Sequence, residues 1–151
     1  MRQVLIVYST QTGRTRQLVE ACAQGLSAEG EVEVTVRVAH DAGTDDLLRC
    51  HGLILATPEN FGYMSGLVKD FLDRTYYPAE GKTIGLPYGV LVSCGNDGRG
   101  AVSAIERIAS GYQWKAFAEP LIVRGAPDAD HLAQARTLGE TLAAGLSVGA
   151  F

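Results

Sequence analysis

Hydrophobic positions fall into two alternating patterns along the chain. Val4-Leu5-Ile6-Val7-Tyr8 is a short continuous apolar run, followed by Leu18, Val19, Cys22 and Leu26 at helical spacing. The first predicts a strand buried on both faces, the second an amphipathic helix. Glu31 to Val38 then alternates valine with polar residues, the period of a strand with one solvated face, which suits a sheet edge. From Asp41 to Cys50 the chain is short and polar at first. Asp45, Asp46, Leu47 and Leu48 predict a brief helix with acids in its first turn.

Gly52 to Thr57 is again apolar without alternation and reads as a central strand. A loop from Thr57 to Met64 leads into a helix with Leu67, Val68, Phe71 and Leu72 on one face. Tyr76-Tyr77-Pro78 ends that helix, and Ala79 to Thr83 form a linking turn. Tyr88 to Ser93 is another central strand, and Cys94 to Gly100 is loop by composition. A helix with Val102, Ile105, Ile108 and Ala109 inward comes next. The last strand, about Phe117 to Val123, carries Glu119 and Pro120, and a proline within a strand points to an edge. Leu132, Ala135, Leu138, Leu142 and Leu146 mark a closing helix.

Five strands and five helices in strict alternation imply an α/β fold, a parallel sheet covered by helices on both faces. Strands two and five have edge character, and strands one, three and four have central character. The doubly wound order 2-1-3-4-5 satisfies all five assignments and puts a ligand beyond the carboxyl ends of strands one and three.

Composition narrows the function. With 151 residues the chain suits one well-buried core and one domain, 1–151. A net charge of -4, with no cluster of Lys and Arg, argues against a nucleic-acid surface. No apolar run reaches the roughly 18 residues that span a bilayer, and the chain enters a strand-like run directly instead of a signal peptide. Cys22, Cys50 and Cys94 lack metal-ligand spacing, and reduced thiols in a cytoplasmic protein account for them. His40, His51 and His131 are scattered, and no chemistry is assigned to them.

In the expected topology the loops after strands one, three and four meet at one end of the sheet. The first, Ser9-Thr10-Gln11-Thr12-Gly13-Arg14-Thr15, holds four hydroxyl side chains and a glycine just ahead of a helix. The first amides of a helix lack internal partners and carry the positive end of its dipole, so this turn suits a phosphate. It lacks the Gly-Lys-Ser/Thr ending of a P-loop and the Gly-x-Gly-x-x-Gly of a dinucleotide fold. An ordinary strand-to-helix turn capped by Thr10 or Thr12 fits the same residues. Arg14 or Arg16 adds charge or is simply solvated, and Thr15 or Gln17 either joins the site or steadies the helix start.

These residues resemble a known family. Thr10-x-Thr12-Gly13-x-Thr15 after the first strand, with Thr57-Pro58-Glu59-Asn60-Phe61-Gly62 after the third, is similar to the flavodoxin-like FMN proteins. The continuation from Met64 to Arg74 resembles their NAD(P)H-dependent FMN and quinone reductase branch more than the electron-carrier flavodoxins. The resemblance implies that Ser9, Thr10, Gln11, Thr12, Gly13, Arg14 and Thr15 hold the FMN phosphate. It implies that Pro58, Glu59, Asn60, Phe61, Gly62 and Tyr63 border the isoalloxazine ring, with Gly62 allowing close backbone approach near N5. Phe61 and Tyr63 closing a core edge is the bland alternative. Ser93, Gly95, Asn96, Gly98 and Gly100 would touch the pyrimidine end.

Electron-carrier flavodoxins usually stack an aromatic side chain from this third loop on the ring, whereas none lies between Ser93 and Gly100. One ring face would therefore be open to a nicotinamide or a quinone. The function implied is an FMN-dependent oxidoreductase passing hydride from NAD(P)H to a quinone-like or other small acceptor. A flavodoxin-type single-electron carrier between partner proteins is the alternative. Tyr76-Tyr77-Pro78 and the residues around Trp114 suit either a contact in a homodimer or higher oligomer, or buried packing. Cys94 with Arg99 resembles the Cys-x5-Arg loop of low-molecular-weight tyrosine phosphatases. Only four residues intervene here, and the loop follows the fourth strand instead of the first, so no nucleophile is assigned.

Overall fold

The computed structural model describes residues 1–151. The chain runs β1 (Arg2–Tyr8), α1 (Arg14–Ser27), β2 (Val32–Val38), a 3-10 turn (Ala39–Asp41), α2 (Thr44–Arg49), β3 (Gly52–Asn60), β4 (Tyr63–Met64) and α3 (Gly66–Ala79). It continues through β5 (Pro87–Cys94), α4 (Arg99–Tyr112), β6 (Lys115–Ala116), β7 (Leu121–Arg124) and α5 (Ala129–Ser147).

The sheet order is β2-β1-β3-β5, with β6 and β7 both beside β5 at the far edge, and these strands pair in parallel. This is the doubly wound order expected from the edge and centre patterns, with the fifth strand in two pieces. Phe117 N still donates to Tyr88 O at 3.2 Å, and pairing resumes only at Leu121. Pro120, which has no amide to donate, sits in the gap.

Period two separates two cores. Leu5, Val7, Leu53, Leu55, Val90 and Val92 face α3 and α4, where Val68, Phe71, Leu72, Ala101 and Ile105 are buried. Val4, Ile6, Ile54, Ala56 and Leu91 face α1 and α5, against Leu18, Cys22, Leu26, Leu138 and Leu142. β5 is buried at every position, while β2 buries only Val32 and exposes Val36, as an edge strand must. Helices α1 and α5 approach so closely that a Cβ on Gly139 would lie 2.1 Å from the Cys22 carbonyl oxygen. Arg74 ties α3 to the 3-10 turn by donating to Ala39 O and Ala42 O, each at 3.0 Å.

Two readings change, and a third is decided in favour of buried packing at Trp114. Thr57 to Met64 is not loop throughout: β3 extends to Asn60 and returns through β4, pairing Glu59 with Met64 and Asn60 with Tyr63. Phe61 and Gly62, at φ 51 and 72, form the two-residue turn between them, both left-handed as a type I′ hairpin requires. Leu67 does not join the inward face of α3; it lies in the first turn and is exposed, and Thr75 is buried instead. Trp114 is core: its Nε1 donates to Thr83 Oγ1 at 2.9 Å and its ring stacks on Tyr112, whereas Tyr77 is exposed.

Candidate functional site

The loop after β1 continues the sheet for one bond, Ser9 N to Ala56 O at 3.2 Å, then turns into α1. Thr10 Oγ1 accepts from Gly13 N at 3.0 Å and closes the turn. Gly13 sits at φ 90, a left-handed conformation that only glycine adopts without strain, and its carbonyl starts the helix by accepting from Gln17 N. No side chain caps α1, and no acid lies in its first turn. The amides of Thr10, Gln11, Thr12, Arg14, Thr15 and Arg16 consequently donate to no protein acceptor.

Each of the other helix N-termini carries a side-chain acceptor, which α1 lacks. Asp46 accepts from Gly43 N before α2, Ser65 from Val68 N in α3, Glu59 from Gly98 N just before α4 and from two amides in its first turn, and Asp128 from His131 N in α5. The capped-turn reading therefore holds only for the Thr10–Gly13 bond. What remains open at α1 is a group of backbone donors on a positive dipole end, the donor set a phosphate dianion requires.

Ser9 and Thr15 are buried within this loop, while Gln11, Thr12 and Arg14 are exposed. Arg16 pairs with Glu20 at 3.0 Å, and Arg14 has no ion pair. The loop is fastened to its neighbour by hydroxyls: Ser9 Oγ and Ser65 Oγ are 2.5 Å apart, and Ser65 N donates to Thr57 Oγ1 at 2.9 Å. Thr57 Oγ1 in turn donates to Pro58 O at 2.8 Å. Ser65 and Thr57 were not among the candidate residues. The available signal was local: a serine directly before an apolar helical pattern, in N-cap position.

The hairpin and the third loop also meet. Glu59, at the root of the Phe61–Gly62 turn, accepts from Gly98 N at 3.2 Å, Gly100 N at 3.1 Å and Ala101 N at 3.3 Å. A Cβ on Gly100 would lie 1.8 Å from Gly62 O, so only glycine permits this approach. Phe61, Gly62 and Tyr63 are exposed, and Pro58, Glu59 and Asn60 are half-buried. Ser93 is buried at the end of β5, and Gly95 and Asn96 are exposed. The structure thus brings all three loops into one connected group.

Cys94 is buried behind the third loop, its Sγ donating to Asn96 O at 3.4 Å. Burial pushes this thiol up, Glu59 and Asp97 add to the rise, and Arg124 only partly opposes it. A thiolate is therefore disfavoured. His51 Nδ1 and His131 Nδ1 accept backbone amides of Gln3 and Asp128. A cleft of about 320 Å³ elsewhere is lined by Glu29, Glu31 and Glu140 between α1 and α5, and its charge repels a phosphate.

The sheet order and the loops at its carboxyl edge define a flavodoxin-like protein. The family described as NADPH-dependent FMN reductase matches residues 1–116, and the chain belongs to it. FMN is accordingly its cofactor and NAD(P)H its co-substrate, which makes it an FMN-dependent NAD(P)H oxidoreductase. An NAD(P)H dehydrogenase (quinone) of Acidithiobacillus ferrooxidans is 28% identical over 148 residues, covering 84% of this chain and 72% of its own. A flavodoxin of Aquifex aeolicus is 34% identical over 73 residues, 48% of this chain and 40% of its own. In three dimensions a flavodoxin from the domain Archaea matches with TM-score 0.85 and 20% identity over 94% of this chain and 96% of that one, which shows the fold. No helix is long and apolar enough to cross a membrane.

Proposed function

We propose that the protein, as one flavodoxin-like domain, passes hydride from NAD(P)H by way of FMN to a quinone-like or other small acceptor. The observation that carries this reading is the open N-terminus of α1. The unpartnered amides of Thr10, Gln11, Thr12, Arg14, Thr15 and Arg16 and the hydroxyls of Ser9, Thr10, Thr12 and Thr15 supply the donors for the FMN phosphate. Gly13 sets the turn, Gln11 lines it, and Arg14, free of any carboxylate partner, adds positive charge at the rim.

The turn Asn60 to Tyr63 with Pro58 and Glu59 borders the isoalloxazine, and Ser93, Gly95, Asn96, Gly98 and Gly100 form the wall at its pyrimidine end. When bound, FMN supplies hydride acceptance at N5 and onward delivery to the acceptor, so no side-chain acid or base is assigned. The chain's own residues grip, orient and leave access. No aromatic side chain lies between Ser93 and Gly100 to cover the outer face, which leaves room for a nicotinamide and then a quinone.

The test is the absorption spectrum of the purified protein before and after anaerobic NAD(P)H, then steady-state turnover with a quinone. Bleaching of the flavin bands followed by turnover is the expected result. A second reading, single-electron carriage between proteins, is favoured by the similarity to the Aquifex aeolicus flavodoxin. It predicts a flavin-loaded protein that neither bleaches with NAD(P)H nor turns over quinone.

A further inference from the structure

Three helix N-termini, of α1, α3 and α4, lie at the carboxyl edge of the sheet among the three loops, and the protein treats the first and the last oppositely. That of α1 keeps its amides open, whereas that of α4 is filled by a side chain from another element. Helix α4 has no acid in its own first turn, and Glu59 of β3 supplies the countercharge. Oε1 accepts from Gly98 N, and Oε2 accepts from both Gly100 N and Ala101 N. Beyond the carboxylate, the Gly62 backbone rests where a Gly100 side chain would be. The hairpin is thus held at its root by a charge and at its tip by a backbone contact.

We infer that Glu59 is a positioning residue for the flavin ring: it fixes the turn Asn60 to Tyr63 against the first turn of α4 without itself contacting the phosphate. This rests on the FMN reading above and adds a division of labour to it. Ring affinity depends on the Glu59 clamp, and phosphate affinity depends on the α1 loop. Glutamine at this position keeps the volume but sets an NH₂ group against one of the backbone N–H groups, so the clamp opens. Aspartate keeps the charge with a shorter reach.

The experiment titrates FMN and riboflavin, the same ring without the phosphate, into apo-protein followed by flavin fluorescence. Wild type, Glu59→Gln, Glu59→Asp and Thr12→Val are compared. Glu59→Gln is expected to weaken both ligands about tenfold, the loss of one charge-assisted hydrogen bond, leaving their ratio unchanged. Glu59→Asp weakens both by less, and Thr12→Val weakens FMN alone. Amide exchange at Gly98, Gly100 and Ala101 in the apo-protein accelerates in Glu59→Gln.

Faster exchange with wild-type riboflavin affinity would overturn the inference, because the clamp would then serve the fold alone. Weaker FMN with unchanged riboflavin would overturn it too, since Glu59 would be acting on the phosphate loop. Equal loss of both ligands in Glu59→Gln, with Thr12→Val indistinguishable from wild type, would support the clamp and remove the α1 loop from the FMN reading. A wild-type protein that binds neither ligand would sink that reading and the inference with it.

Discussion

Ser9 Oγ and Ser65 Oγ lie 2.5 Å apart, both side chains buried, and join the loop after β1 to the start of α3. Ser65 Oγ also accepts from Val68 N at 3.3 Å, and either hydroxyl of the pair can donate to the other; with Ser65 donating, Ser9 Oγ is the acceptor. That orientation leaves the Ser9 proton for an anion in the α1 loop. Ser65→Ala removes both the helix cap and the group that orients Ser9. The expected loss of stability is about 1–2 kcal/mol, read from a thermal melt. FMN affinity should fall while riboflavin affinity holds. Wild-type FMN affinity in this variant would show that Ser9 does not depend on Ser65 for its orientation.

At the hairpin tip, Gly62→Val places a β-branched side chain at φ 72, next to Phe61 already at φ 51. A Cβ there meets no atom within 4 Å, so the cost is backbone strain, about 1–3 kcal/mol. Relief of that strain must re-aim the peptide that packs on Gly100. Lower flavin occupancy and an altered flavin spectrum are expected. An unchanged spectrum at full occupancy would take this turn away from the ring.

These two sites also show where the sequence was legible. The edge and centre strands were readable because burial on one face or both imposes its own period, as Val32 to Val38 and Gly52 to Thr57 demonstrate. The α1 loop was readable because hydroxyls and glycine between a strand and a helix have few other uses. The hairpin was hidden: Pro58 and Gly62 signal loop, and a left-handed Phe61 is a choice that local propensity disfavours. The bond between Ser9 and Ser65 and the partners of Glu59 were hidden for another reason. Ser9 and Ser65 are separated by 56 positions, and Glu59 reaches amides 39 to 42 positions ahead, so no local pattern records either contact.

Cys94→Ser should leave turnover of NAD(P)H and a quinone within about twofold of wild type at neutral pH. Burial, with Glu59 and Asp97 nearby, keeps the thiol protonated, and its bond to Asn96 O is one that a hydroxyl also makes. Slow alkylation of Cys94 by iodoacetamide in the folded protein is the companion measurement. A dead Cys94→Ser enzyme with normal flavin content would restore thiol chemistry at this loop.

Alkaline pH should destabilise the protein through its buried protonated groups. Burial lifts the Cys22 thiol from 9.0 to about 12. Tyr112 rises from 10.0 to about 12, again chiefly by burial, although its bond with Thr75 opposes the shift. Above about pH 9 the unfolded chain releases the Cys22 proton and the folded chain keeps it, so stability falls as pH rises toward 12. The slope from Cys22 is at most about 1.4 kcal/mol per pH unit, and Tyr112 adds to it above about pH 10. Urea melts between pH 8 and 10.5 measure this directly. Cys22→Ala lowers stability at pH 8 by opening a small void between α1 and α5, but it should make the alkaline decline shallower, the Cys50 thiol, also pushed up to about 12 by burial, sustaining the rest. Parallel declines in wild type and variant would mean that the Cys22 proton is not what the folded state retains.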